Sequence, residues 1–181
     1  YTVKDTLSLH DALPISGELL VGNTTFTQNR ALRSDEFTVA TAIANSGKAD
    51  FYNTVIYKNQ APQAIVGQSF DFSTVVNRGD MTLTNSIIAD NPIFVLNIYD
   101  DVISVGSQNF SGTAPTIDGQ VLVDDGSLSG PGVINADPEL GVLADNGGPT
   151  LSYAPLPFSP AIDAGDNAVV TTATAQRGEP R

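Results

Sequence analysis

An internal repeat constrains this chain more than any other feature. Three segments align without gaps: GELLVGNTTFTQN (17–29), GKADFYNTVIYKN (47–59) and GDMTLTNSIIADN (79–91), so successive units open 30 and 32 residues apart. Two positions after each opening glycine stand Leu19, Ala49 and Met81, and four after it Val21, Phe51 and Leu83. Asn23, Asn53 and Asn85 follow at offset six, Phe26, Ile56 and Ile88 at offset nine, and Asn29, Asn59 and Asn91 at offset twelve. Alternation over offsets two, four and six is the pattern of a strand with one face inward. The inward parity shifts by one after the first Asn, as it does where a chain turns a corner. A second register, IANSG (43–47) against VVNRG (75–79), ends on the glycines that open the second and third units.

Asn suits a corner for two reasons. It tolerates φ > 0 better than most residues. If equivalent corners stack about 4.8 Å apart, its amides can also hydrogen-bond up and down the stack. Asn23, Asn53, Asn85, Asn29, Asn59 and Asn91 therefore read as structural ladders rather than as a row of ligand-binding amides.

A period near 30 with short strands and little helical composition predicts an all-β chain. The specific expectation is a right-handed single-stranded parallel β-helix, a pectate-lyase-like solenoid with an irregular C-terminal cap. No W-D dipeptide, leucine-rich consensus or helical-hairpin consensus supports the other repeat folds of this size. A β-sandwich explains the strands but not the recurrence of the same positions. Phe37–Ser46 and Phe70–Arg78 read as further sides of the repeats, Ala61–Pro62 and Gly67 as turn points, and Ile93–Ile98 and Ile103–Phe110 as strands. The repeat decays from Gly112. Residues 17–134 are thus expected to form β-helix coils and 135–181 a capping tail.

Composition narrows the function. Twenty acids against eight bases give a net charge of −12, the wrong sign for a nucleic-acid binder. There is no Cys, which excludes disulfides, thiol nucleophiles and Cys-type zinc sites. No apolar run approaches the roughly 18 residues of a membrane span. Sixteen Asp and thirteen Asn favour turns and caps, while 45 Val, Ile and Thr suit pleated surfaces.

The segment Asp5–Ser16 (DTLSLHDALPIS) resembles the translated sequencing-adapter tail found at the ends of chains from metagenomic assemblies. Residues 1–16 are accordingly expected to be non-native, and the single histidine, His10, goes with them. Without it, Ser–His and Cys–His catalysis have no base.

The tail is rich in Gly and Pro from Pro138 to Gly165. It carries Asp137–Pro138 with Leu140–Gly141, then LADNGGPT (143–150), SPAIDAG (159–165) and QRG (176–178), in that order. This succession resembles the tail signature of the choice-of-anchor, CSLREA-type bacterial surface proteins, which are similar to polymorphic outer-membrane repeat proteins. The resemblance implies a right-handed parallel β-helix, secretion or a cell-surface location, and a structural or adhesive role. Two departures from the family lead to the expectation of a C-terminal piece truncated at both ends. The family's secretion signal is absent, and its Arg-Gly-x-Pro-Arg segment normally runs on, whereas here it ends at Arg181. The remaining coils of the full-length protein would then be a partner, alongside an extracellular polysaccharide or a host or cell-surface protein.

Candidate sites are few, and no catalytic residue is assigned. Glycoside hydrolysis needs two carboxylates roughly 5–9.5 Å apart. Asp50 and Asp80 are the nearest stacked pair, Asp71 and Asp90 lie elsewhere, and Lys48, Lys58 and Arg78 are the neighbouring bases. This defines the rival reading, a polysaccharide-active glycoside hydrolase or lyase, or a carbohydrate-binding module. No cofactor is expected. Calcium is the ion whose ligands are present, and Asp163, Asp166 and Asn167 form the best group, ahead of Asp124–Asp125–Gly126 and Asp145–Asn146–Gly147. Asx turns account for all three without a metal. Asp163 and Arg177, in the two strongest tail motifs, are expected to tie down the cap as an ion pair. Tyr52, Tyr57, Tyr99 and Tyr153 are candidates for sugar stacking, although offsets five and ten carry no repeated aromatic.

Overall fold

The computed structural model describes residues 2–3, 6–7, 13–29, 38–60, 71–91, 107–170 and 172–180, with the backbone alone at 2–3, 6–7, 38–39, 71–73 and 107–112. His10, Ala61–Pro62, Gly67, Ile93–Ile98 and Tyr99 lie outside the described residues, as does the side chain of Asp71. The strands in chain order are Thr2–Val3 (β1), Thr6–Leu7 (β2), Leu13–Ile15 (β3), Glu18–Gly22 (β4), Thr25–Thr27 (β5), Thr38–Asn45 (β6), Lys48–Tyr52 (β7) and Val55–Tyr57 (β8). They continue with Asp71–Asn77 (β9), Asp80–Ala89 (β10), Ser107–Gly112 (β11), Thr116–Val123 (β12), Val133–Asn135 (β13), Leu140–Ala144 (β14) and Ser152–Pro155 (β15). The described helix is one 3-10 turn, Asn167–Val169.

Neighbouring repeats pair in parallel and in the register that their glycines define. Leu19 faces Ala49 and Val21 faces Phe51, and on the next step Met81 faces Ala49 and Leu83 faces Phe51. The opening glycine is a consequence of this close stacking. A Cβ on Gly47 would stand 2.2 Å from the Gly17 carbonyl oxygen, and one on Gly79 2.1 Å from that of Gly47. The same carbonyls accept hydrogen bonds from Lys48 N and Asp80 N at 2.8 Å.

The core follows from the alternation. Val21, Phe51 and Leu83 at offset four and Phe26, Ile56 and Ile88 at offset nine are buried, and Ile43 and Val75 meet them from β6 and β9. Each such side chain contributes about 1.5–3 kcal/mol on leaving water. Phe26 and Phe51 pack edge to face with ring centroids 6.2 Å apart.

The described residues are all-β, but their sheets correct the expected right-handed single-stranded parallel β-helix, and no solenoid is found among them. The strands divide among sheets of nine, four and two, and the arrangement is mixed. The nine-stranded sheet branches at β10. This strand runs unbroken where earlier units break in two, pairing β7 with its first half, β8 with its second and β12 along its other edge. β3, β6, β9 and β11 form the four-stranded parallel sheet. β14 and β15 pair antiparallel, and Thr174 makes an antiparallel bridge to Pro180. The repeat specifies which residues lie beside which in neighbouring units. It does not specify how those pairings divide among sheets, and the tail, which lacks the repeat, pairs locally with itself.

Candidate functional site

The two rows of repeated Asn do different work. At offset six, Asn23, Asn53 and Asn85 have φ of 52°, 51° and 45°, so they supply the left-handed corner. At offset twelve it is the preceding residue, Gln28, Lys58 or Asp90, that takes the positive φ, at 57°, 57° and 47°. Asn29 and Asn59 there are buried and form a ladder with Asn91. Asn29 Nδ2 donates to Asn59 Oδ1 at 2.7 Å, and Asn59 Nδ2 donates to Asn91 Oδ1 at 3.0 Å.

Two further rows escaped the sequence reading. Asn45 Nδ2 donates to Asn77 Oδ1 at 2.7 Å, and Asn77 Nδ2 to the Thr113 carbonyl at 2.8 Å. The matched IANSG and VVNRG segments were the available signal. Thr24, Thr54 and Ser86 recur at offset seven, each hydroxyl donating to the carbonyl two residues back at 2.9–3.2 Å.

The offset-six row also holds the C-terminal segment against the repeats. Asn23 Nδ2 donates to the Thr174 carbonyl at 3.1 Å, and Asn53 Nδ2 to Thr172 Oγ1 at 3.4 Å. Asn53 reaches Asn23 Oδ1 at 3.2 Å, but Asn85 does not extend that ladder. Its amide pairs in both directions with the Asp166 backbone, accepting from Asp166 N and donating to Asp166 O, each at 2.9 Å. A bulge makes this possible. Between the pairs Thr84↔Asp118 and Ser86↔Val121, Asn85 faces both Gly119 and Gln120. Gly119, at φ 80°, leaves the space the amide occupies, since a Cβ there would lie 2.6 Å from Asn85 Oδ1.

Two cavities lie beside this C-terminal segment. The larger, about 500 Å³, has a floor of Val55, Ile87, Leu122 and Ile134, with Asn53, Asn85 and Tyr153 on its walls. The smaller, about 360 Å³, lies between Asn146, Ser152 and Arg177. Neither is lined by a carboxylate.

The remaining candidates are dispersed. Asp80 sits beside Lys48 in register and Asp50 beside Thr82, two positions further along. Lys48 Nζ stands 4.0 Å from Asp50 and 3.9 Å from Glu18, both exposed contacts of small energetic value. Asp90 pairs with Lys58 at 3.7 Å. Asp163 and Arg177 form no ion pair. Asp163 lies in a turn at φ 54°, and the Arg177 guanidinium donates to the Asn146 carbonyl at 3.1 Å. In the calcium candidates, Asp125, Asp145 and Asp166 each accept the backbone N–H two residues on, at 2.8–3.0 Å. Among the described residues no group of three or more His, Cys, Asp or Glu is placed to hold a metal ion.

Two of the candidate tyrosines are held in the packing of the tail against the repeats. Tyr57 and Tyr153 are buried and stack edge to face at 4.8 Å, and Tyr153 Oη shares a 2.7 Å hydrogen bond with Thr27 Oγ1. Burial, then hydrogen bonding to Asp90 and its charge, hold the Tyr57 phenol well above the usual tyrosine range. Tyr52 covers Gly22, where a Cβ would stand 1.8 Å from its ring. Its offset therefore bears no aromatic in the preceding unit because that space is already filled.

Among the described residues no helix is long and apolar enough to cross a membrane. No family model, curated protein or solved structure matches the chain.

Proposed function

We propose that residues 17–181 are a non-catalytic, secreted or cell-surface domain with a structural and adhesive role, as the resemblance to the choice-of-anchor surface proteins implies. The observation that carries this reading is the use of the polar side chains. The repeated amides and hydroxyls bond within the chain, Asp137, Asp145 and Asp166 of the tail close their own turns, and the two cavities beside the C-terminal segment are lined by no carboxylate. A hydrolase or lyase needs the opposite arrangement, with acids converging on a cleft. Extracellular polysaccharide and cell-surface protein are the partner classes of this reading. The test is to immobilise acidic and neutral polysaccharides, incubate them with the chain, and follow both bound protein and soluble product. Retention with no new reducing ends or unsaturated products over time supports the reading, and product that accumulates with time overturns it.

A further inference from the structure

The strongest anomaly outside the repeats is Phe158. It is 95% exposed, and its backbone stands at φ 73°, where a bulky side chain is a rare and strained occupant. The turn is fixed from the next residue. Ser159 is buried; its Oγ donates to the Pro138 carbonyl and accepts from Ala161 N, and its N–H donates to the Leu156 carbonyl. A strained backbone held in place by its surroundings, with an aromatic ring aimed into solvent, is a feature of sites that bind. Leu156 begins the same turn, its carbonyl accepting from Ser159 N, and exposed apolar side chains occur in the neighbouring segments. Val142 is 77% exposed on β14, and Leu156 and Ile162 are about half exposed, with Leu156 packed beside Gly141.

We propose that Phe158, with Val142 and Leu156, is the anchor of a protein-docking surface, and that its partner presents an apolar recess or stripe rimmed by Lys and Arg. Charge decides the partner. Asp137, Glu139 and Asp163 stand exposed in the segments around the patch, with Leu156 N donating to the Glu139 carbonyl. Between Arg78 and Arg177 the sequence has twelve acids and no Lys or Arg. A second copy would bring the same acids face to face, whereas a basic rim would complement them. A few residues that become fully desolvated supply most of the affinity of an interface, and an aromatic ring this exposed has the most surface to bury. The inference deepens the adhesive reading and rests on it.

The test uses the full chain and a fluorescein-labelled helical peptide with a Leu stripe flanked by Lys, alongside the same peptide with Glu flanks. Saturable binding to the Lys peptide, weakened by salt and reduced at least about ten-fold in both F158S and F158G, is the expected result. Glycine adopts the φ of 73° without strain, and the urea midpoint of F158G is measured beside its affinity, so that loss of binding without loss of stability is assigned to the ring. Unchanged affinity in F158G, or equal binding of the Glu peptide, overturns the proposal. Self-association or adsorption to phosphatidylcholine vesicles that F158G abolishes would also overturn it, by naming a different occupant. None of these readouts measures product release, so their failure is separate from that of the non-catalytic reading.

Discussion

Replacing Asn59 with Ala tests whether the buried amide ladder holds the repeats together. The Asn59 side chain makes four hydrogen bonds. Its Oδ1 accepts from Asn29 N at 3.1 Å and Asn29 Nδ2 at 2.7 Å, and its Nδ2 donates to the Phe26 carbonyl at 3.2 Å and to Asn91 Oδ1 at 3.0 Å. Each is worth about 0.5–1.5 kcal/mol net, and more where a buried group loses its partner, so N59A should cost about 3–5 kcal/mol. That is a large part of the roughly 5–15 kcal/mol by which a domain is stable. The comparison variant is N53G. Its φ of 51° suits glycine, and Asn53 gives up only the 3.2 Å bond to Asn23 and the 3.4 Å bond to Thr172, both half-buried. N53G should therefore cost about 1 kcal/mol. Urea unfolding followed by circular dichroism and tyrosine fluorescence gives both values, provided the slope with denaturant is unchanged. Equal losses in the two variants, or a larger loss in N53G, would refute the division of labour between the rows.

Two other outcomes follow from the same geometry. Because the fold raises the Tyr57 pKa, both states keep the proton below the usual value of about 10; above it the unfolded chain ionises first, so stability falls as pH rises toward the folded value. Y57F should flatten this alkaline loss in urea midpoints taken at successive pH values, and identical slopes would contradict the assignment. F158G should stabilise the chain by about 0.5–1 kcal/mol, because relief of about 1–2 kcal/mol of left-handed strain outweighs the entropic cost of glycine. F158A keeps the strain and should not match it, so an F158G less stable than F158A would refute the argument.

How much of this was legible in the sequence varies with the range of the interaction. The alignment of Gly17, Gly47 and Gly79 is reproduced residue for residue in the pairing of β4, β7 and β10, because inward alternation allows one register. The all-β character was legible, but not the architecture, because side-by-side pairing leaves open how strands divide among sheets, and because β14 and β15 pair antiparallel outside the repeat. The positions of the Asn rows could be read, but not their roles. Asn23 and Asn29 look alike in sequence, and only φ and burial separate the corner former from the ladder member. Asn85 leaves its row for Asp166 because of a bulge at Gly119–Gln120, a feature of the following strand. Motif strength alone suggested the pair Asp163 and Arg177, yet Arg177 packs against Gly148 and donates to the Asn146 carbonyl in the turn between β14 and β15. Phe158 gave no signal, since its strain and exposure exist only in three dimensions.

The recurring amides are bonds of the fold and not a surface for ligands. Hydrogen exchange of the Asn side-chain carboxamides in ¹⁵N-labelled protein tests it most directly. Strong protection is expected at Asn29, Asn45, Asn59 and Asn77, and weaker protection at Asn53, whose bonds are half-buried. Exchange of all of these at the rate of a free amide would contradict it.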